Sequence, residues 1–130
     1  MKTNERNAFA LLAGSASALV TTVVLLLWSA FSTDFVVTFS TILQSVAVVV
    51  VFYLMIVGTL IYGKFLPKKS FALFPVIGLV NFVAIQFQNL MIGYQLSTNY
   101  LILSFTVSMV FAFIVPFLML SALVKAEILH

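Results

Sequence analysis

The chain has 130 residues, of which 64% are hydrophobic and 7% are charged, and its formal net charge is +3. A soluble domain carries about 25% charged residues, so this composition excludes a soluble globular domain and indicates a protein of the lipid bilayer, where apolar side chains can face outward. The chain contains no cysteine, which excludes disulfides and thiolate metal sites, and so small an excess of basic residues is typical of orientation signals beside membrane spans rather than of nucleic-acid binding.

Four apolar segments follow one another along the chain, at 8–31, 35–62, 71–94 and 100–124. Each contains the roughly 20 apolar residues that a helix needs to cross a membrane. The sequence therefore predicts an all-α fold, a bundle of four transmembrane helices. The second segment is longer than a span requires, and the polar run Ser32-Thr33-Asp34 before it is a candidate N-cap.

Small residues recur at four-residue spacing in the first and fourth helices. Such stripes let helix backbones approach closely in lipid, where packing and hydrogen bonds drive association. A homodimer face would rely on the same physics and remains an alternative. The predicted helix-packing residues are Ala10, Gly14, Ala18, Ser104, Ser108 and Ala112.

The third helix is the polar one, with four carboxamide side chains between positions 81 and 89. At 100° per residue these side chains share an inward arc, and apolar residues occupy the rest of the helix circumference. Carboxamides in hydrocarbon need partners, and the second helix offers Gln44 and Tyr53. The carboxamides either bond helices together or line a site for a ligand or a narrow water path. The candidate ligand-binding residues are Asn81, Gln88, Asn89 and Gln44, and the predicted lipid-facing residues are Val76, Leu79, Val80, Val83, Phe87 and Leu90.

Pro116 lies deep in the fourth apolar segment. Because proline lacks the backbone N–H, the carbonyl of Ala112 loses its usual donor and the helix is predicted to kink there. Val51 holds the matching place in the first half of the chain, so the predicted kink belongs to one half only.

The basic residues predict the orientation of the spans. All six precede the first span, lie between the second and third, or follow the fourth: Lys2, Arg6, Lys64, Lys68, Lys69 and Lys125. The positive-inside rule then places both termini in the cytoplasm. We expect an integral protein of the bacterial cytoplasmic membrane.

The two halves of the chain repeat one another. Phe9-Ala10-Leu11 recurs as Phe71-Ala72-Leu73, and Ser32-Thr33-Asp34-Phe35 recurs as Ser97-Thr98-Asn99-Tyr100. Each copy holds two spans, so both copies enter and leave on the same side of the membrane. We therefore expect two tandem transmembrane hairpins, residues 1–67 and 68–130, related by a pseudo-two-fold axis along the membrane normal.

No Asp, Glu, Lys, Arg or His lies well inside any predicted span. Proton relays, voltage sensors and carriers of charged substrates normally place ionisable groups in the membrane. The sequence has no intramembrane acid–base pair, no serine–histidine arrangement and no metal-ligand cluster. We therefore expect no enzyme activity, no catalytic residue, no metal and no cofactor.

One stretch of the second half runs from Leu96-Ser97-Thr98-Asn99-Tyr100 to Val110-Phe111-Ala112-Phe113-Ile114-Val115-Pro116 and resumes at Leu123-Val124-Lys125. This stretch resembles an uncharacterised bacterial family of short two-helix membrane proteins. The second helix of that family carries an apolar-Ala-Phe-Pro stretch and ends at a basic residue. Here Ile114-Val115 separate Phe113 from Pro116, and the family's second proline is missing. The resemblance implies a two-helix unit, here in tandem, and implies no activity.

Two function classes remain. The near absence of extramembrane segments favours an interaction or accessory partner within a membrane assembly. The clustered carboxamides favour the alternative, a small-molecule transporter, channel or binder for an uncharged or amphipathic ligand, lined by the third helix. The expected partners are the lipid bilayer and either further copies of the chain or another membrane protein, with no nucleic acid.

Overall fold

The computed structural model of the protein describes residues 3–32, 38–91 and 98–125, and over these residues every regular element is an α-helix. The helices are α1 (Thr3–Ser32), α2 (Phe39–Tyr62), α3 (Ser70–Met91) and α4 (Thr98–Lys125). All four are long and apolar enough to cross a membrane. The prediction of a four-helix membrane bundle is confirmed at this level, and the composition of the helices indicates an integral membrane protein.

The start of α2 differs from the prediction. Thr38 is the N-cap, with an extended backbone, and its side-chain oxygen accepts a 3.1 Å hydrogen bond from the backbone N–H of Thr41. Ser32 instead ends α1, while Thr33 and Asp34 lie outside the described residues. The predicted cap was therefore wrong, because the hydroxyl oxygen that accepts from the first turn of α2 belongs to Thr38. The later start shortens α2 to 24 residues, about 36 Å at 1.5 Å per residue.

The turn between α2 and α3 gathers basic residues at one end of the bundle. Lys64 adopts a left-handed conformation with φ 58°, and the N–H of Phe65 donates to the carbonyl of Leu60 at 2.9 Å, which closes the last turn of α2. Arg6 of α1 donates to the carbonyl of Pro67 at 3.4 Å. The beginning of α1 is thereby joined to this turn, which also carries Lys68 and Lys69.

The helices pack so that α1 and α3 form the central pair. Each of these two contacts all three other helices, whereas α2 and α4 share no contact across the described residues. The largest contacts join α3 to α4 and α1 to α2. The outer helices α2 and α4 therefore leave long apolar faces exposed, as lipid allows. Examples of their exposed side chains are Val51, Met55, Phe105, Phe113 and Phe117.

The gap between α1 and α2 is filled by Tyr53. Its side chain is fully buried, and its hydroxyl donates a 2.6 Å hydrogen bond to the carbonyl of Ala10. A Cβ atom added at Gly14 would lie 1.5 Å from the tyrosine hydroxyl oxygen, so only glycine leaves room for the ring. Tyr53 was expected to serve the carboxamides of α3, and that expectation was wrong because the ring points to the α1 backbone instead.

The remaining packing residues all lie inside the bundle. Ala10, Ala18, Ser104, Ser108 and Ala112 are at most 1% exposed. The helix α4 continues through Pro116, whose side chain is fully buried, to Lys125. A kink at this residue stays a prediction.

Candidate ligand cavity between the four helices

The inward side of α3 carries the carboxamides. Asn81, Gln88 and Asn89 are buried and Gln86 is half-buried. Most of the expected lipid face is exposed, at Leu79, Val83, Phe87 and Leu90, but Val76 is half-buried. The expectation for Val80, which is only 6% exposed, was wrong, because α3 packs against three helices and buries more of its circumference than a two-sided helix would.

Each carboxamide nitrogen donates to a hydroxyl group on another helix. Gln88 donates to Ser45 of α2 at 2.8 Å, and Asn89 donates to the Tyr100 hydroxyl of α4 at 3.0 Å. Likewise, Asn81 donates to Ser17 of α1 at 3.1 Å, and Gln86 donates to Ser104 of α4 at 3.0 Å. These bonds fix the orientation of each amide plane, so the oxygen of each carboxamide is directed away from the hydroxyl.

A cavity of about 620 Å³ lies at the end of the bundle opposite the basic turn. It is formed by the second half of α1, the first half of α2, the end of α3 and the start of α4. Gln44, Gln88 and Asn89 line it, and Gln44 is also exposed, which places it at an opening. The described residues that line it are Thr22, Leu25, Leu26, Ser29, Thr41, Gln44, Ser45, Val48, Ile85, Gln88, Asn89, Met91 and Tyr100.

Asn81 is the predicted ligand-binding residue that the structure separates from the other three. It is fully buried beside Ser17 and does not line the cavity. Asn81 and Gln88 share a helix face, but seven residues separate them by about 10 Å along the axis. A helical wheel shows the direction of a side chain around the helix and not its position along the helix axis. The sequence pattern therefore grouped Asn81 with Gln88, although only Gln88 lines the cavity.

The cavity combines apolar walls with neutral polar groups. Leu25, Leu26, Val48, Ile85 and Met91 supply the apolar surface, and none of the lining residues that the structure describes is Asp, Glu, Lys, Arg or His. The arrangement can therefore hold an uncharged molecule that is partly apolar. Across residues 3–32, 38–91 and 98–125 the cavity wall holds no acid–base pair, and these residues contain no group of three or more His, Cys, Asp or Glu that could hold a metal.

Two polar residues of the cavity lining, Ser45 and Thr22, were not predicted from the sequence as ligand-binding residues. Ser45 receives the Gln88 amide, and the Thr22 hydroxyl is buried without a hydrogen-bond partner in the described residues. The signal for Ser45 was its position in the buried face of α2, together with Val49, Tyr53 and Val57 at four-residue spacing. A single serine in an apolar segment does not reveal which helix it faces.

Comparisons of the chain with protein-family models, curated proteins and solved structures found no match. The functional argument therefore rests on the cavity and the residues around it.

Proposed function

We propose that the protein binds an uncharged or amphipathic small molecule inside the membrane, in the cavity at the end of the bundle opposite the basic turn. The observation that carries the proposal is the cavity itself, about 620 Å³ and lined by all four helices. Ligand pockets in proteins typically measure about 300–1,000 Å³ and combine apolar walls with a few fixed polar groups.

Helix packing alone does not account for this arrangement. Membrane helices associate through close contact between small residues, supplemented by interhelical hydrogen bonds. Around Gln88 and Asn89 the hydrogen bonds are present, but the helices stand apart and leave a cavity. Asn81 and Gln86 are examples of carboxamides that only join helices, since they make the same type of hydrogen bond without lining the cavity.

The other end of the bundle is closely packed, which supports a binder more than an open conduit. Tyr53 occupies the space between α1 and α2, and Val57, Leu73 and Ile77 are at most 1% exposed. A ligand would therefore enter and leave at the same end, or between helices from the lipid.

A substitution that fills the cavity tests the proposal. Val48→Phe adds volume at the wall and removes no hydrogen-bonding group, whereas Val51→Phe makes the same change on the exposed face of α2. Purified wild-type protein and Val51→Phe should retain the same copurifying small molecules in mass spectrometry, and Val48→Phe should lose them. Equal retention by Val48→Phe, with an intact bundle by circular dichroism, would contradict binding in this cavity.

We further propose that the bundle sits in the bacterial cytoplasmic membrane with both termini in the cytoplasm. The grouping of Arg6, Lys64, Lys68 and Lys69 at one end supports this orientation, since basic residues favour the cytoplasmic side. The extensive contacts within α1–α2 and within α3–α4 support two tandem hairpins, residues 1–67 and 68–130, like the two-helix family that the second half resembles.

A second candidate function is an interaction or accessory partner in a membrane assembly, either as a homo-oligomer or with another membrane protein. The observation that favours it is Gly58 on α2, where an added Cβ would have no atom within 4 Å. A glycine at such a position lets a second helix approach closely. Gly58→Leu should abolish copurification of a protein partner in mild detergent, and Val48→Phe should not. Retention of the partner by Gly58→Leu would contradict this role for the face.

A further inference from the structure

The cavity presents carbonyl oxygens that need a donor. The amide nitrogens of Gln88 and Asn89 are committed to Ser45 and Tyr100. The side-chain oxygens of Gln88 and Asn89 accept no hydrogen bond from a residue within the described ranges, and neither is among the fully enclosed atoms. A carboxamide oxygen only accepts, so it is satisfied by a ligand that donates.

The same site also presents a hydroxyl proton. The Ser45 oxygen accepts from Gln88, which leaves its proton available for donation. A ligand hydroxyl group meets both requirements, because it donates one hydrogen bond and accepts others.

A charged headgroup does not fit these surroundings. Among the described lining residues none is Asp, Glu, Lys, Arg or His, so these residues offer no counter-charge to an ammonium or carboxylate group. The apolar walls, among them Leu25, Val48 and Ile85, match a hydrocarbon portion.

From these three observations, and resting on the proposed function, we infer that the ligand is an uncharged amphiphile with at least one hydroxyl group, of the monoacylglycerol type. Its hydroxyl groups lie between the oxygens of Gln88 and Asn89 and the hydroxyl of Ser45. Its hydrocarbon part lies along the apolar walls.

Trp28 provides a reporter for binding. It is the only tryptophan of the chain, and its ring centroid is 6.5 Å from that of Tyr100, which lines the cavity. A molecule that enters the cavity beside Tyr100 should change the fluorescence of Trp28 in a saturable manner.

The full-length protein is placed in phosphatidylcholine nanodiscs, because maltoside detergents are themselves uncharged hydroxylated amphiphiles. Four probes share one acyl chain length: monolaurin, methyl laurate, laurate and dodecylamine. Methyl laurate lacks the hydroxyl groups, and the last two carry a charge. We expect monolaurin to bind at least about tenfold more tightly than methyl laurate, since a tenfold ratio corresponds to one or two net hydrogen bonds, and more tightly than either charged probe.

Matched variants assign the preference to the cavity. Gln88→Leu and Gln86→Leu each remove a glutamine that bonds a serine on a neighbouring helix, but only Gln88 lines the cavity. Gln88→Leu should abolish the preference for monolaurin over methyl laurate, and Gln86→Leu should retain it. Ser45→Ala, which removes a hydroxyl group from the cavity wall, should reduce the preference and serves if Gln88→Leu fails to fold.

The outcomes separate the two proposals. Equal binding of methyl laurate, laurate or dodecylamine would overturn the hydroxyl class and leave a ligand cavity standing. No saturable response to monolaurin would also overturn the hydroxyl class, while the copurification test on Val48→Phe decides separately whether the cavity binds a ligand. A preference that survives both Gln88→Leu and Ser45→Ala in folded protein would overturn the assignment of the headgroup to these residues.

Discussion

Replacing Gly14 by alanine should destabilise the bundle through a single contact. The new methyl carbon would lie 1.5 Å from the Tyr53 hydroxyl oxygen and 1.9 Å from the ring carbon that bears it. Neither distance is possible, so the ring must move, and the hydrogen bond to the Ala10 carbonyl is lost with it. Gly58→Ala is the matched control, because the same substitution on α2 meets nothing within 4 Å.

The magnitude follows from three terms. Overpacking a core costs about 1–3 kcal/mol, and an interhelical hydrogen bond in a membrane protein contributes about 0.6 kcal/mol, at most about 1.7. Replacing a helical glycine by alanine offsets up to about 1 kcal/mol. We therefore expect Gly14→Ala to lower the free energy of unfolding by about 2 kcal/mol, and Gly58→Ala to leave it unchanged or raise it slightly, by no more than about 1 kcal/mol.

Equilibrium unfolding in mixed micelles, followed by far-UV circular dichroism, measures both changes. A double-mutant cycle with Tyr53→Ala then isolates the contact, because Gly14→Ala should cost almost nothing once the ring is absent. If Gly14→Ala were as destabilising in the Tyr53→Ala background as in the wild type, or no more destabilising than Gly58→Ala, the reasoning from the contact would be refuted.

Three further predictions concern topology and assembly. Reporter fusions should place position 33 outside the cytoplasm and the C-terminus inside it, and an external C-terminus would contradict the orientation. Coexpressed halves, residues 1–67 and 68–130, should copurify, because the Asn81–Ser17 and Gln88–Ser45 bonds join one half to the other; stable halves that fail to associate would contradict a mutual interface. Replacing both Asn81 and Gln88 by leucine should lower the stability of the bundle by about 1–2 kcal/mol in the same unfolding assay, and an unchanged midpoint would show that these bonds contribute nothing.

The number of helices and the inward face of α3 could be predicted because both depend on local sequence. Apolar length determines whether a helix can span a bilayer, and the 100° step determines which side chains share a face. The boundary of α2 could not be predicted, because the choice between Thr38 and the run beginning at Ser32 depends on how the chain leaves α1. Long-range contacts were also beyond the sequence, as shown by Tyr53, which reaches Ala10 rather than a carboxamide.

The sequence predicted which types of residue form the candidate site, but it did not predict which residues of the other helices line the cavity. Clustered carboxamides indicated Gln88 and Asn89, and both line the cavity. Their partner Ser45 and the unpartnered Thr22 belong to other helices, so their relevance follows only from the rotation and depth at which those helices pack. Depth also separates Asn81 from the cavity, although the wheel places it on the same face as Gln88.

Side-chain size along α2 explains why the cavity lies where it does. Helix α2 packs against α1 and α3, so its inward side chains must fill the space towards these two helices. The large ring of Tyr53 packs against Gly14 and fills the space at that level of the bundle. Two turns away the buried residue of α2 is Ser45, whose side chain is too short to fill the gap between helices. Gln88 of α3 extends to Ser45 and donates the hydrogen bond that joins the two helices. Leaving 620 Å³ unfilled would cost on the order of 15 kcal/mol at about 24 cal/mol per Å³, as much as the whole stability of a typical domain. That figure applies to a sealed and empty cavity, whereas this one is open on one side, so water, lipid or a ligand can fill it. Its largely apolar walls favour hydrocarbon over water alone, in agreement with the proposed ligand.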